Sequence, residues 1–566
     1  MSATRLERLL DQLDDAKRRF GRGQGKQTER LLQRVSRLNF KDAESLIRFH
    51  EILLFLRAYP PSAAVLRVAE RELSTFSKRV ELLTKAGYDT GALMDPEVSG
   101  IAGTSVTDTF SYYIVRWLQT RHPSQVTFDW NWFEDENRLA ETWPRFMPLL
   151  EEDATVEANV PYREWLRAAK GRSREVAWLI RRFESLKLSD KEKAELHDSL
   201  KLYVRWTPSD HDTRTGMKLP IRNVFFHQKP LIRRQDFSFR DEVESTPPPI
   251  NRLSIKQGEA ILDMTRETST MRYRELYGFT HGDPAKVFKA SPGRGVDIFL
   301  VDLPPGRRLP LRAYHAAMIF KNGVPAGYFE GLSLFERMES GFNLYYSFRD
   351  GETAWIYART LNLYRHLLGS TVFVLDPYQL GHENEEGIDS GAFWFYRKLG
   401  FRPAAPQLLK RTLDEEEKIA ARSAYRTPKT LLRKLAASPM VLELDGSKTG
   451  DWDSFQVRNI GLAVQRRMAT RFAGNAEKCR QESLRRVCQV LSVKREALRS
   501  SELGVWSDFA VMLDLIPDLQ RWSRQERRAL VQIIRAKAAA DESRYLKLMQ
   551  RHERLRREMI KIGSAV

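Results

Sequence analysis

The sequence predicts a multidomain α/β protein in which a mixed sheet, in the third quarter of the chain, is flanked by helical N- and C-terminal regions. Three observations predict it. At 566 residues, with 42% hydrophobic and 10% aromatic side chains, the chain spans several domains and can bury substantial cores. Helical periodicity dominates residues 1–90 and the chain after Pro406, whereas strand-like alternation is concentrated between Tyr314 and Pro403. A stiff proline run, Ser245-Thr-Pro-Pro-Pro-Ile250, separates the strand-bearing segment from what precedes it and is expected to space two domains.

In chain order, residues 1–90 form a helical N-terminal region with helices expected at Arg5 to Phe20, Thr28 to Leu38, Ala43 to Tyr59 and Ala63 to Ala86. Residues 91–245 form a mixed, mainly helical, tryptophan-rich domain, with helices at Thr107 to Arg121, Tyr162 to Lys170 and Arg174 to Leu186. Residues 246–405 begin with a helix near Lys256 to Thr268. Tyr314 to Phe320 and Ala326 to Leu334 then read as two strands joined by the Asn322-Gly323 turn, and Phe342 to Phe348 as a third. Arg349-Asp-Gly-Glu-Thr-Ala354 leads into a helix stopped by Gly369, and Ser370 to Asp376 returns as a strand, since parallel strands need a helical crossover. Phe393, Tyr396 and Leu399 then recur at helical spacing, with Gly400 as the left-handed residue after the last turn and Phe401-Arg-Pro403 as the exit strand. Residues 406–566 form a basic helical C-terminal region.

Ala392, Tyr396, Gly400 and Phe401 fall at the positions of an Asn-x-x-Ala-x-x-x-Tyr-x-x-x-Gly-Phe signature, with Asp389 where asparagine is usual. Over residues 250 to 405 the chain thereby resembles the GNAT acyltransferase superfamily, whose central and terminal topology runs strand, strand, strand, helix, strand, helix, strand. The resemblance implies an N-acyltransferase that moves an acyl group, from acetyl-CoA or another acyl-CoA, to an amine on a small molecule or polypeptide. Tyr396 would then protonate the departing thiolate, and Glu330, on the same strand face as Tyr328 and Leu332, would serve as base, directly or through water. The donor phosphates would sit at the turn carrying Arg349, Gly351, Thr353 and Ala354, with Asp389 grouped with them.

This turn departs from the family's Gln/Arg-x-x-Gly-x-Gly/Ala pattern: Glu352 replaces the central glycine, and Gly351 lies one residue early. A carboxylate at a helix start competes with a bound pyrophosphate for the same positive end. Two alternatives therefore stay open, a transferase that takes its group from aminoacyl-tRNA and a non-catalytic protein that binds nucleic acid or a protein partner. The loop Pro377 to Asp389 supplies Tyr378, Gln379, His382 and Asn384 as candidate substrate contacts, because ligands sit beyond the strands' C-terminal ends. Glu383, Glu385 and Glu386 in the same loop favour a cationic amine.

The net charge of +19 points to polyanionic partners, and from Pro406 onward 33 Lys/Arg face 20 Asp/Glu. The basic C-terminal helices, with Arg551, Arg554, Arg556 and Arg557, are therefore the expected contact for nucleic acid or tRNA. Gly21-Arg-Gly-Gln-Gly-Lys-Gln-Thr28 has the wrong spacing for a nucleotide phosphate loop, and Gly446-Ser-Lys-Thr449 lacks the first glycine. Asp210-His211-Asp212 and His227 lack zinc-like spacing and read as polar loop, so no metal is expected. Cys479 and Cys488 read as packing residues in a reducing compartment. No apolar run reaches the ~20 residues of a membrane span, and the charged N-terminus lacks a signal core, so a cytoplasmic protein is expected.

Overall fold

The computed structural model describes residues 5–21, 23–133, 138–139, 142–146 and 161–565. The N-terminal region is built around one almost wholly buried helix. Five helices make it: α1 (Arg5–Lys17), α2 (Gln24–Ser36), α3 (Ala43–Ala58), α4 (Ala63–Ser74) and α5 (Phe76–Lys85). Leu9, Leu10 and Leu13 of α1 face inward at helical spacing, where α1 packs on α3, and Leu31, Leu32 and Val35 of α2 are buried where α2 packs on α1 and α4. The start of α3 is fixed by Asp42, which accepts the Ser45 N–H at 2.6 Å, and that of α4 by Ser62, which accepts the Val65 N–H at 3.3 Å. The single helix expected over Ala63 to Ala86 is broken at Thr75. The Ser74 and Thr75 hydroxyls both donate to the Arg71 carbonyl, at 2.8 and 3.4 Å, which takes that acceptor from the helix ladder.

The middle region has its own core, in which Trp143, Trp178 and Trp206 are buried together. Strands β1 (Val106–Asp108), β2 (Val126–Phe128) and β3 (Val204–Trp206) form a small antiparallel sheet in the order β1-β3-β2. The expected helices appear at Tyr112–Arg121, Tyr162–Lys170 and Glu175–Ser185. The first starts later than expected because Thr107 pairs with Arg205 in the sheet and Ser111 caps the helix.

Among the described residues nine strands form one large sheet, in the order β11-β12-β10-β9-β8-β7-β6-β5-β4. They are β4 (Ile250–Arg252), β5 (Val287–Gly293), β6 (Val296–Val301), β7 (Ala313–Lys321), β8 (Val324–Leu334), β9 (Arg337–Leu344), β10 (Val372–Leu375), β11 (Arg402–Pro403) and β12 (Met440–Glu443). All pairings are antiparallel except β9 with β10, which the crossover helix α6 (Thr353–Leu368) connects. Asn322 and Gly323 both take positive φ, 48° and 80°, as a two-residue turn between β7 and β8 requires. The expected strand over Phe342 to Phe348 is displaced. Its hairpin turn falls at Phe335-Glu336, so β9 begins at Arg337, and Tyr346–Phe348 is a 3-10 turn.

The boundaries drawn at 245 and 405 do not divide the packing. The proline run does not behave as a free spacer: Arg359 of α6 donates to the Ser245 hydroxyl at 2.6 Å and Asn362 to the Ser245 carbonyl at 2.6 Å. The sheet continues past residue 405, because β12 pairs with both β10 and β11. One hydrophobic core runs from Leu9 through the sheet to Met559.

The C-terminal helices spend much of their charge internally, which corrects the expectation for two of the four tail arginines. Arg554 bonds Asp518 at 2.6 Å and lies over the Trp522 ring, and Arg556 bridges Glu336 and Asp451 while stacking on Trp452. Arg551 and Arg557 remain exposed. Both cysteines are free and buried in the helix Ala476–Leu491. Among the described residues no helix is long and apolar enough to cross a membrane.

Candidate active site

β9 follows β10 for only three residues. Arg337, Met338 and Glu339 pair with Val372, Phe373 and Val374, after which the strands part and a cavity of about 680 Å³ opens beside Gly341 to Leu344. Seven of the expected catalytic, donor and substrate contacts line it: Glu330, Arg349, Thr353, Tyr378, Gln379, Asn384 and Tyr396.

Tyr396 is carried by α7 (Ala392–Lys398), whose end is set by Gly400 at φ 101°. Its ring is buried edge-on to Tyr357 and Phe401, at 5.8 and 5.9 Å. The hydroxyl accepts from Gln379 Nε2 at 3.0 Å, and the same amide nitrogen donates to the Phe342 carbonyl at 3.0 Å, so Gln379 bridges the gap where β9 has lost its strand partner. Burial pushes the phenol well above its ordinary range, which keeps its proton in place at neutral pH.

Glu330 projects from β8 into the same cavity with Tyr328, as strand alternation predicts. Its carboxylate accepts the Tyr314 hydroxyl, and that hydroxyl in turn accepts the Gly278 N–H at 3.1 Å. Burial raises the carboxyl above the usual range, and the Tyr314 hydrogen bond opposes the shift. A carboxylate raised in this way is a better proton acceptor near neutral pH than an exposed one.

The cavity mouth carries charges of both signs. Arg274 donates to the Tyr328 hydroxyl at 3.0 Å and to Glu97 at 2.9 Å, while Arg349 donates to Glu386 and to the Leu344 carbonyl at 3.2 Å. Arg349 is thus at the expected place but already neutralised. The loop acids are likewise paired, Glu385 with Arg433 and Asp389 with Lys429. Asp389 therefore faces Lys429 on the surface, outside the cavity, which corrects its grouping with the donor residues. His382 is exposed and does not line the cavity, and Asn384 spends its side chain on the Tyr378 carbonyl and the Gly387 N–H.

Gly351, half-buried against the N-terminal bundle, and Ala354 also lie outside the cavity. A Cβ on Gly351 would fall 2.4 Å from the Tyr59 hydroxyl, and Ala354 is buried. Glu352 differs from the sequence expectation in a way that matters. Its side chain turns away from the cavity into the core, where it meets Arg294 Nε at 2.7 Å, Lys321 Nζ at 3.2 Å and the Ile232 N–H at 3.1 Å. It neither caps α6 nor stands where an anion at the helix start would lie. Replacing it with alanine is expected to cost about 3–5 kcal/mol in denaturant unfolding, because Lys321 would be left buried and unpaired.

Arg274, Tyr314, Asn343 and Glu97 escaped the sequence reading. Tyr314 and Asn343 sit on the two strands that flank Glu330's own, whereas Arg274 and Glu97 come from distant segments. The histidine and aspartate candidates separate: His227 packs among Phe20, Tyr59 and Phe225, whereas Asp212 lies 3.7 Å from His122 Nδ1. His122 Nε2 meets Glu267 at 3.1 Å, so opposite sides of one ring face two carboxylates and tie the middle region to the helix Ile255–Thr270. Comparisons with protein-family models, with curated proteins and with solved structures found no match in any of the three.

Proposed function

We propose that the cavity between β9 and β10 transfers an acyl group to an amine. The observation that carries this reading is the convergence of a raised carboxylate, Glu330, and a protonated buried phenol, Tyr396, on one cavity at a gap between strands. Glu330 takes the proton of the attacking amine as its nitrogen bonds to the acyl carbon. The bond to the leaving group then breaks, and Tyr396 supplies the proton that the leaving thiolate or alkoxide needs. The resemblance to GNAT acyltransferases is supported by the run β7, β8, β9, α6, β10, α7, β11, which has the order that family has, although three further strands, β4, β5 and β6, precede it and β12 is inserted between β10 and β11.

Acetyl-CoA or another acyl-CoA is the first donor to test, because Thr353 and Arg349 bring the start of α6 to the cavity wall. Calorimetry should detect its binding, and Arg349→Ala should weaken that binding by about 1.5–3 kcal/mol, the worth of a hydrogen bond to a charged group. Binding equal in wild type and variant would remove Arg349 from the donor site.

A second donor, aminoacyl-tRNA, is favoured by a specific observation: Gly351 is packed under Tyr59 and Arg349 is already paired with Glu386, which narrows the room for a pyrophosphate. No heat with acyl-CoA, together with transfer from charged tRNA, would select this donor. Absence of both would leave the cavity a binding site alone.

A further inference from the structure

The N-terminal bundle carries a second cavity, of about 660 Å³, between α1 and the beginning of α2. Lys26, Arg30 and Arg34 recur every four residues and so share one face of α2, spanning about 12 Å at 1.5 Å per residue. Arg19, just beyond α1, faces the same cavity. All four are exposed. Among the described residues Lys26, Arg30 and Arg34 have no ion-pair partner, and Arg19 has Asp15, at 3.8 Å.

Arg349, Arg402, Arg554 and Arg556 are each neutralised by carboxylates, whereas these cations share one cavity in which Asp15 is the one carboxylate among the described lining residues. Like charges four residues apart on a helix repel, so the stripe stands at a cost that an external anion would offset. The helix start adds to the same field. Gly23 precedes α2 in a left-handed conformation, and among the described residues no side chain caps the first-turn N–H groups.

We propose that this groove binds the phosphate backbone of a nucleic-acid strand. The cations are strung over a length greater than one phosphate, which favours an extended polyanion over a single small anion. An anionic membrane fits less well, since a helix lying in a bilayer interface turns an apolar face outward. Here Leu9, Leu10, Leu13, Leu31, Leu32 and Val35 are buried, and among the described residues neither helix exposes a large hydrophobic side chain. Among the described residues no aromatic ring lines the groove, so binding reads phosphates and tolerates any base sequence. The glycine-rich segment Gly21 to Thr28, set aside as a nucleotide loop, gains a role: it delivers Lys26 to the groove without needing a phosphate-loop spacing. The inference is independent of whether the sheet cavity is catalytic.

Fluorescence anisotropy of the full chain with short labelled single-stranded RNA and duplex DNA, at increasing salt, tests it. With four contacts, the slope of log K against log salt on a single strand is expected to be about −3, at about −0.7 per phosphate. Lys26→Gln, Arg30→Gln and Arg34→Gln together should flatten that slope by about two units and weaken binding to unrelated sequences alike. Thermal unfolding should stay unchanged, because the three side chains are exposed and glutamine is a good helix former. Arg551→Gln with Arg557→Gln should leave the affinity as in wild type. The proposal is overturned if wild type shows no salt-sensitive binding, if the tail variant loses binding that the groove variant keeps, or if phosphatidylserine vesicles bind the groove and RNA and DNA do not.

Discussion

Tyr396→Phe is expected to slow turnover by about 10²-fold or more while the protein stays folded. The substitution removes one hydroxyl and keeps the ring packed against Tyr357 and Phe401. The only described partner of that hydroxyl is Gln379, which retains its second bond to the Phe342 carbonyl, so the bridge across the gap between β9 and β10 survives. A lost neutral hydrogen bond costs stability only about 0.5–1.5 kcal/mol. Because burial holds the phenol above its ordinary range, the wild-type proton is present throughout the neutral range. Single-turnover measurements on an identified donor, beside circular-dichroism melts, separate the outcomes. Unchanged turnover with chemistry rate-limiting would end the acid role, and loss of soluble protein would show that the hydroxyl is structural.

What the sequence made legible is what local rules determine. Asn322-Gly323 specifies its turn, Gly400 ends its helix, and the spacing of Tyr396 from Gly400 places the phenol beside the preceding strand. The face taken by Glu330 was only half legible. A plain two-residue hairpin would set Glu330 opposite His315; the register shift after Phe320 sets it opposite Ala316 instead, on the same face as Tyr314. That bulge reverses the alternation on one strand relative to the other, and no residue in the turn announces it. Glu352 was misread for a different reason. Its partners Lys321, Arg294 and Ile232 come from elements far away in sequence, so a residue that looks like a rival for phosphate is a buried anchor of the turn. Arg554 and Arg556 were misread in the same way, since a charge stripe does not reveal that Glu336, Asp451 and Trp452 are waiting for Arg556.

Glu330→Gln is expected to reduce turnover by about 10²- to 10⁴-fold, the range for loss of a positioned general base. Its pH signature is the sharper test. Burial raises the carboxyl, so in wild type the base is fully charged only above the usual carboxylate range, and kcat/KM should climb with pH through that raised value. The glutamine variant has no such limb. Tyr314→Phe should move the limb further up, because it removes the hydrogen bond that favours the charged form. Stability runs the other way. A group whose folded pKa lies above its unfolded value, about 4.3 for glutamate, stabilises the fold below that value and loses the contribution as pH rises through the folded pKa. Denaturant midpoints of wild type should therefore fall further across that window than those of Glu330→Gln, in which Asp302, Glu267 and Glu275, also raised by burial, remain. A wild-type activity profile without the raised limb would exclude Glu330 as the base, while the stability series would still report its burial.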